Sequence, residues 1–362
     1  MGNGNTWEIK PHTIAKHKIL EAYLYQWYAK LATGFDCLTY LDGFAGPGRY
    51  AGGEDGSPLV ALKSLIGHKS FAAWHSTQFK FIFIESDRAT YQQLQKEVDA
   101  YLLSVSHPPN IHHEVHYANF SELAPRLRTE GVIADGFPLL AFVDPFGYKA
   151  VPMAVIARLV RPRRSEILIN LSTDPINRFF EQSSVETPLN ELFGMSTEER
   201  IKDLPSDDRA EAIARLYIER LSDEAGFGFT REFVMEFPPG HVGYHLVFGS
   251  HSSDGLEAVK AAMWQVDPSG AFRFADHLAG QRFLFTGDDI DFEPLRAALI
   301  QQFGGRTVSI EEIIDFVVLE TPFLRTHVKT RVLMPMQKAG QIVGVNQSKR
   351  NQYPKGTTVH FC

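Results

Sequence analysis

Cysteine is nearly absent. The chain has 362 residues and only Cys37 and Cys362, far apart and in no CxxC or Cys/His spacing. That excludes a disulfide scaffold and a thiolate metal knot, and it fits a reducing compartment. Long apolar runs are also missing: no stretch approaches the ~18 residues of a membrane helix, and MGNGNTWEIKPH lacks a signal-peptide core. A cytoplasmic protein without membrane contact is expected. The three neighbouring histidines His112, His113 and His116 have no HExxH spacing, so no metal is expected. With 44% hydrophobic and 22% charged residues, the composition excludes disorder. The length exceeds what one core usually fills, so one large domain with a smaller appendage is expected.

Charge is unevenly distributed. The formal net charge is -7. From Thr321 to Cys362 there are seven basic residues and no acid, while the remaining 29 basic and 43 acidic residues leave -14 elsewhere. Such segregation points to a nucleic-acid partner or to the acidic body of the same molecule.

The pattern along the chain is α/β. An amphipathic helix over Ile14 to Leu31 is followed by a strand from Cys37 to Leu41 and by the loop Asp42-Gly43-Phe44-Ala45-Gly46-Pro47-Gly48. Ser57-Pro58 reads as an N-cap with proline at N1. Strands are expected at Phe79–Ile84, His112–Tyr117, Leu139–Val143 and Glu166–Leu171, with helices from Ser57 to about Ile66, over Arg88–Leu103 and over Pro152–Leu159. This alternation predicts a doubly wound, mainly parallel sheet. Two late strands, Glu232–Phe237 and Tyr244–Phe248, precede a helix over Gly255–Val266. The predicted organisation is an N-terminal helix (1–35), an α/β domain (36–304) with a helical insertion (177–221), and a C-terminal domain (305–362). In the last, helices over Ser309–Leu319 and Pro322–Ala339 and the strands Gln341–Val345 and Thr358–Phe361 follow the order of a winged helix-turn-helix.

Candidate chemistry lies at three strand ends. The spacing of Gly43, Gly46 and Gly48 is neither the dinucleotide fingerprint nor a Walker loop, and Asp42 at its head would repel a phosphate. A cationic ligand such as the sulfonium amino acid of S-adenosylmethionine suits it better; a tight structural turn is the plain alternative. Glu85, one βα unit later, can accept both ribose hydroxyls of a nucleoside, or be an ordinary solvated strand end. At Asp144-Pro145-Phe146-Gly147 a carboxylate and the Pro145 carbonyl can accept from an exocyclic NH₂ while Phe146 stacks on the base. Asn119 can contact the adenine ring or serve as a loop residue. Basic side chains for a nucleic-acid backbone are Arg325, Lys329 and Arg331 on the helix and Lys349, Arg350 and Lys355 on the wing.

Taken in order, Asp42-Gly-Phe-Ala-Gly-Pro-Gly48, Glu85 and Asp144-Pro-Phe-Gly147 resemble motifs I, II and IV of class I S-adenosylmethionine-dependent methyltransferases, over roughly residues 36 to 172. The Asp-Pro-Phe-Gly form is similar to that of tRNA guanine N2-dimethyltransferases and departs from the Asp-Pro-Pro-Tyr/Phe of adenine and cytosine amino-methyltransferases. Over nearly the whole chain, Lys18-Ile-Leu20, Tyr40 to Gly48, Gly56-Ser-Pro58, Phe142 to Gly147, Arg325-Thr-His-Val-Lys329 and Val332-Leu333 resemble the three-Cys-motif partner proteins. That resemblance implies a Rossmann-like methyltransferase fold with a C-terminal winged helix, a bacterial cytoplasmic setting, and a neighbouring protein bearing a cysteine motif for an iron–sulfur cluster. It implies S-adenosylmethionine as cofactor, with Asp42, Gly43, Phe44, Gly46, Gly48, Glu85 and Asn119 around it and Asp144, Pro145 and Phe146 at the methyl acceptor. The alternative is a non-catalytic adaptor of the same fold that binds nucleic acid and its Cys-motif partner.

Overall fold

The structure is a computed structural model and describes residues 9–145, 151–173, 176, 186–196, 206–237, 241–275, 290–347 and 349–362. By its internal contacts the chain divides into two compact units, Met1–Ala262 with Arg273–Ala279, and Met263–Phe272 with Gly280–Cys362. No helix among the described residues is long and apolar enough to cross a membrane.

The first unit opens with helix α1 (Pro11–Leu31), which starts three residues earlier than the apolar spacing predicts because Pro11 occupies its first turn. Strand β1 (Cys37–Asp42), helix α2 (Ser57–Ile66), strand β2 (Gln78–Glu85), helix α3 (Arg88–Ser104), strand β3 (Ile111–Tyr117), helix α4 (Phe120–Thr129), strand β4 (Leu139–Val143), helix α5 (Met153–Val160) and strand β5 (Ser165–Leu171) follow. Helix α6 (Glu186–Phe193) lies in the stretch read as an insertion, and helix α7 (Ser206–Ala225) runs four residues past its expected end at 221. Strands β6 (Phe229–Phe237) and β7 (His241–Ser250), helix α8 (Ser253–Val266) and the short strand β8 (Arg273–Ala275) complete the order.

These strands form one eight-stranded sheet in the order β3-β2-β1-β4-β5-β7-β6-β8. Strands β1 to β5 run parallel, and β7 is antiparallel to both β5 and β6. The sheet is therefore mainly parallel, as expected from the alternating pattern. All five residues of β4 are buried, and the last five of β2 likewise. Such continuous apolar runs suit strands covered on both faces. The chain leaves β1 toward β2 on one side, and β4 lies on the other. That reversal makes a crevice at the carboxyl ends of β1 and β4, where ligands of open α/β sheets bind.

In the second unit, helix α9 (Glu293–Phe303) leads to strand β9 (Thr307–Ser309) and helix α10 (Ile310–Glu320). The helix expected over Pro322–Ala339 begins instead at Arg325 and contains a π-helical segment, Val328–Leu333, before ending at Lys338. Strands β10 (Ile342–Val345) and β11 (Thr358–Phe361) pair antiparallel, and β9 pairs with β11 on its other edge. This unit starts before the predicted boundary at Gly304-Gly305. The reason is packing: the Phe303 ring of α9 lies 5.4 Å from Phe316 and 5.6 Å from Phe361, so α9 shares their core.

Candidate active site

Sheet register brings the three acidic strand ends together. Asp42 pairs in register with Phe83 of β2 and Phe142 of β4. Glu85 and Asp144 each lie two residues further along those strands, so all three carboxylates stand at the same end of the sheet, beside the crevice.

The glycine loop is fastened to both neighbours. The Gly43 N–H donates to the Phe142 carbonyl at 2.9 Å and the Ala45 N–H to the Ile84 carbonyl at 3.0 Å. Gly43 has no space for a side chain, since a Cβ would fall 2.6 Å from the Phe120 ring. Gly46 and Gly48 hold φ of +62° and +78°, a region that L side chains rarely adopt. Nothing stands within 4 Å of the Cβ position of Gly46, so the loop borders open space there.

Asp42 is fully buried. Its Oδ1 accepts the Phe44 N–H at 3.2 Å, and Oδ2 accepts from the Tyr40 hydroxyl at 3.4 Å. The Ser57 hydroxyl also reaches it. Ser57 thus serves the carboxylate and is not the N-cap of α2, which is Gly56. Burial raises the Asp42 pKa to about 7 against these hydrogen bonds, with the Asp144 charge adding to the rise. The carboxylate supports the loop from below and acts by its field, since it has no surface of its own.

Glu85 joins loop and strand. Its Oε2 accepts the Gly46 N–H at 3.0 Å and its Oε1 the Asp87 N–H at 2.7 Å. A carboxylate has about four lone-pair sites, so two remain for a ligand. Asp87 caps α3 through the Thr90 N–H at 2.8 Å. A cleft follows the loop, lined by Gly43, Phe44, Ile84, Glu85, Ser86, Ala118, Asn119 and Phe120. Asn119 is the N-cap of α4, its side-chain oxygen accepting the Ser121 N–H at 2.9 Å. Its amide NH₂ has no bond among the described residues, so capping and ligand contact are compatible.

Asp144 differs from the sequence expectation of a carboxylate waiting for an amine. Its Oδ2 is ion-paired with Lys16 Nζ, and its Oδ1 accepts from Asn170 Nδ2 at 2.8 Å. Pro145 is buried beside it, whereas Phe146 lies outside the described residues. Lys16, His17 and Asn170 stand at this strand end although the sequence patterns do not single them out. A signal existed for the first: Lys16 stands one turn before Ile19 and Leu20 on the apolar face of α1, where a lysine requires a buried partner. Asn170 similarly interrupts the apolar run of β5. His17 is held neutral, its pKa lowered to about 4 by burial and by the adjacent Lys16 charge.

The histidines of β3 bind other partners: His112 reaches Gln78 at 2.7 Å, His113 reaches Asp99 at 3.1 Å and His116 reaches Glu114 at 3.0 Å. Among the described residues no group of three metal-ligating side chains converges.

In the second unit Arg325, Arg331, Lys349, Arg350 and Lys355 are exposed and Lys329 is half-buried. The basic stretch is not free of acid in space. Glu311 of α10 accepts the Gly356 N–H at 2.9 Å, and the charges of Lys355 and Lys329 help to lower its pKa.

No family model matches the sequence, and a search of curated proteins finds no match. Solved structures give weak likenesses. A crystal structure of a Legionella pneumophila protein aligns at 12% identity over 72% of this chain and 94% of that chain, with a TM-score of 0.42. Trm1 from Pyrococcus horikoshii, in complex with S-adenosylmethionine, aligns at 11% identity over 69% of this chain and 59% of its own, with a TM-score of 0.39. The methyltransferase domain of a bacterial Hen1 aligns at 12% identity over 65% of this chain and all of its own, with a TM-score of 0.33. At such scores the likenesses carry no argument, and the reading of this chain rests on its own sheet order and strand-end residues.

Proposed function

We propose that this chain is an S-adenosylmethionine-dependent methyltransferase acting on an exocyclic amino group of a nucleic-acid base. The observation that carries the reading is the bond from the Gly46 N–H to Glu85, which makes the glycine loop and the second strand's acid two walls of one cleft. The residues fit the cofactor. Open space over Gly46 takes the amino-acid portion, the free lone pairs of Glu85 take the ribose hydroxyls, and Asn119 and Phe44 border the adenine. The buried Asp42, when ionised, supplies a negative field under a cationic ligand.

The cofactor would supply an activated methyl group, so the protein's task is chiefly positioning. Asp144 and the Pro145 carbonyl orient the acceptor amine, with Phe146 against the base. Asn170 holds one carboxylate oxygen at 2.8 Å and so fixes the plane of Asp144. An incoming amine shares the other oxygen with Lys16. In a duplex the base has to be flipped out of the stack to reach it.

The second unit supports a winged helix by its order of helix, strand, two helices and hairpin. Arg325, Lys329 and Arg331 on the helix with Lys349, Arg350 and Lys355 on the hairpin would hold the phosphate backbone. Membership of the three-Cys-motif partner family, with a cysteine-bearing neighbour, rests on the sequence motifs alone.

One observation favours a second reading. Lys16 already occupies Asp144 with an ammonium, as expected of a chain that keeps the fold as a non-catalytic adaptor. Calorimetric titration of S-adenosylmethionine separates the readings. The methyltransferase binds it and loses binding in Asp42→Ala and Glu85→Ala; a folded protein that binds none, with or without its partner, is the adaptor. Asp144→Ala then abolishes methyl transfer to DNA or RNA in the first case and leaves the adaptor's activity intact in the second.

A further inference from the structure

The first unit contains a larger cavity, about 320 Å³, at the end of the strands opposite the glycine loop. Pro138 before β4, Arg163 and Arg164 before β5, and Ser250 at the end of β7 open onto it, together with the second half of α1 and the start of α8. Its volume falls at the small end of ligand pockets, the size class of a nucleoside phosphate. Nothing in the methyl-transfer reading uses it.

Its chemistry is polarised. The floor is the Glu166 carboxylate. Oε2 accepts from the Tyr23 hydroxyl at 2.7 Å and Oε1 from the Ser250 hydroxyl at 2.7 Å, which fixes the group in place and leaves a lone pair on each oxygen. Gly255 lets it sit there, because a Cβ would fall 2.2 Å from Oε1. Burial raises the Glu166 pKa, and the Ser250 and Tyr23 hydroxyls and the nearby Trp27 indole N–H, which makes no hydrogen bond of ordinary geometry, oppose that rise. Trp27 and Phe35 supply aromatic walls. The rim carries three basic residues and one acid. Arg164 stacks on Phe35 at 4.6 Å and donates to the Gly136 carbonyl, Lys30 bonds the Asp254 carbonyl at 3.2 Å with the Asp254 carboxylate 3.9 Å away, and exposed Arg163 has no partner among the described residues.

We propose that this cavity is a second ligand site, for a guanine nucleotide, with the base on Glu166 between Trp27 and Phe35 and the phosphate at Arg163 and Lys30. The base follows from the floor. A carboxylate only accepts, and guanine presents two adjacent N–H groups on its pairing edge. Adenine, cytosine and uracil each set an acceptor beside their donor there, and that acceptor would meet the carboxylate's lone pairs. The phosphate follows from the rim, where the Arg163 guanidinium, unpaired among the described residues, is suited to fork an anionic oxygen pair. The nucleotide can be free or the end of a strand.

The test is calorimetry on the full chain with GMP, AMP, guanosine and a short RNA ending in guanosine phosphate. The expected result is saturable binding of GMP, with AMP at least about tenfold weaker because its edge mismatches the floor. Arg163→Ala should weaken GMP about tenfold and guanosine hardly at all. Glu166→Gln, checked for folding by its melting curve, should remove the preference for GMP over AMP. Tighter binding of the RNA than of GMP assigns the site to a strand end, and the reverse assigns it to the free nucleotide. The proposal is overturned if neither GMP nor the RNA binds, if AMP binds as well as GMP, or if Arg163→Ala leaves GMP affinity unchanged. Because these ligands carry no sulfonium, failure here leaves the S-adenosylmethionine titration to be judged separately.

Discussion

Lys16 of α1 is ion-paired with Asp144 at the end of β4, 128 residues further along the chain. The lysine side chain is 6% exposed and the aspartate 16%. Asn170 holds the other carboxylate oxygen, and the Tyr244 ring lies 5.5 Å from the ammonium. The N-terminal helix is therefore part of the strand-end site, and not only a cover for the sheet.

Breaking this pair from one side should be costly. Lys16→Met leaves a mostly buried carboxylate without its cation, and a loss of about 2–3 kcal/mol is expected, reduced from the fully buried case by the partial exposure of Asp144. Adding Asp144→Asn should recover most of it, since the double variant buries no charge. Urea unfolding of the four proteins measures the coupling; additive losses would show that the two groups do not depend on each other.

Two buried groups near the site act on stability with opposite signs. The Asp42 pKa is raised from 3.8 to about 7, so between those values the folded state holds a proton that the unfolded chain has lost, and stability falls as pH rises. The His17 pKa is lowered from 6.5 to about 4, so over that range the unfolded chain holds the extra proton, and stability falls as pH drops. From about pH 4 to 6.5 the two trends oppose each other. Relative to wild type, Asp42→Asn should lose stability toward pH 4.5, and His17→Phe should lose it toward pH 7.5, each by roughly 2–3 kcal/mol across the window. Chemical unfolding at half-unit steps of pH tests this; parallel curves for all three proteins would contradict the assignment.

The same loop glycines resist substitution for different reasons. Gly43→Ala drives a Cβ against the buried Phe120 ring, and a loss of about 1–3 kcal/mol is expected from overpacking. Gly46→Ala meets no atom but must hold φ +62°, with a loss of about 1–2 kcal/mol from the backbone. Phe120→Leu should rescue the first and not the second. Thermal melts of the paired variants decide it.

If the second unit binds DNA or RNA through its hairpin, Lys349→Ala and Arg350→Ala should each flatten the salt dependence, lowering the slope of log K against log salt by about 0.7–0.9. Glu311→Gln should act the other way and raise affinity a few-fold, because that carboxylate lies near Lys329 and Lys355. Fluorescence anisotropy across a salt series reads both effects, and an unchanged slope in both alanine variants would remove the hairpin from the interface.

Much was legible without coordinates. The strands from β1 to β5, the turn glycines and the Asp87 cap are local events, written in consecutive residues by burial on both faces, by positive φ and by a single side-chain bond. That Asp42, Glu85 and Asp144 close three parallel strands was legible for the same reason. The placement of Ser57 under Asp42 was not, because the same residue would cap a helix equally well, and only the position of β1 decides between the two partners. Nor did the count of basic residues reveal that Glu311 enters their midst.

The amino-acid sequence by itself determined the mainly parallel sheet and the residues at its strand ends, since each depends on propensities within a few positions. Only the tertiary structure decided that Lys16 occupies Asp144, that Asp42 is sealed from solvent, and that Glu166, Trp27, Arg163 and Ser250 share one cavity. Those facts arise from separate segments brought together by packing, as Lys16 and Asp144 are across 128 residues, and no local pattern carries information about distances across the fold.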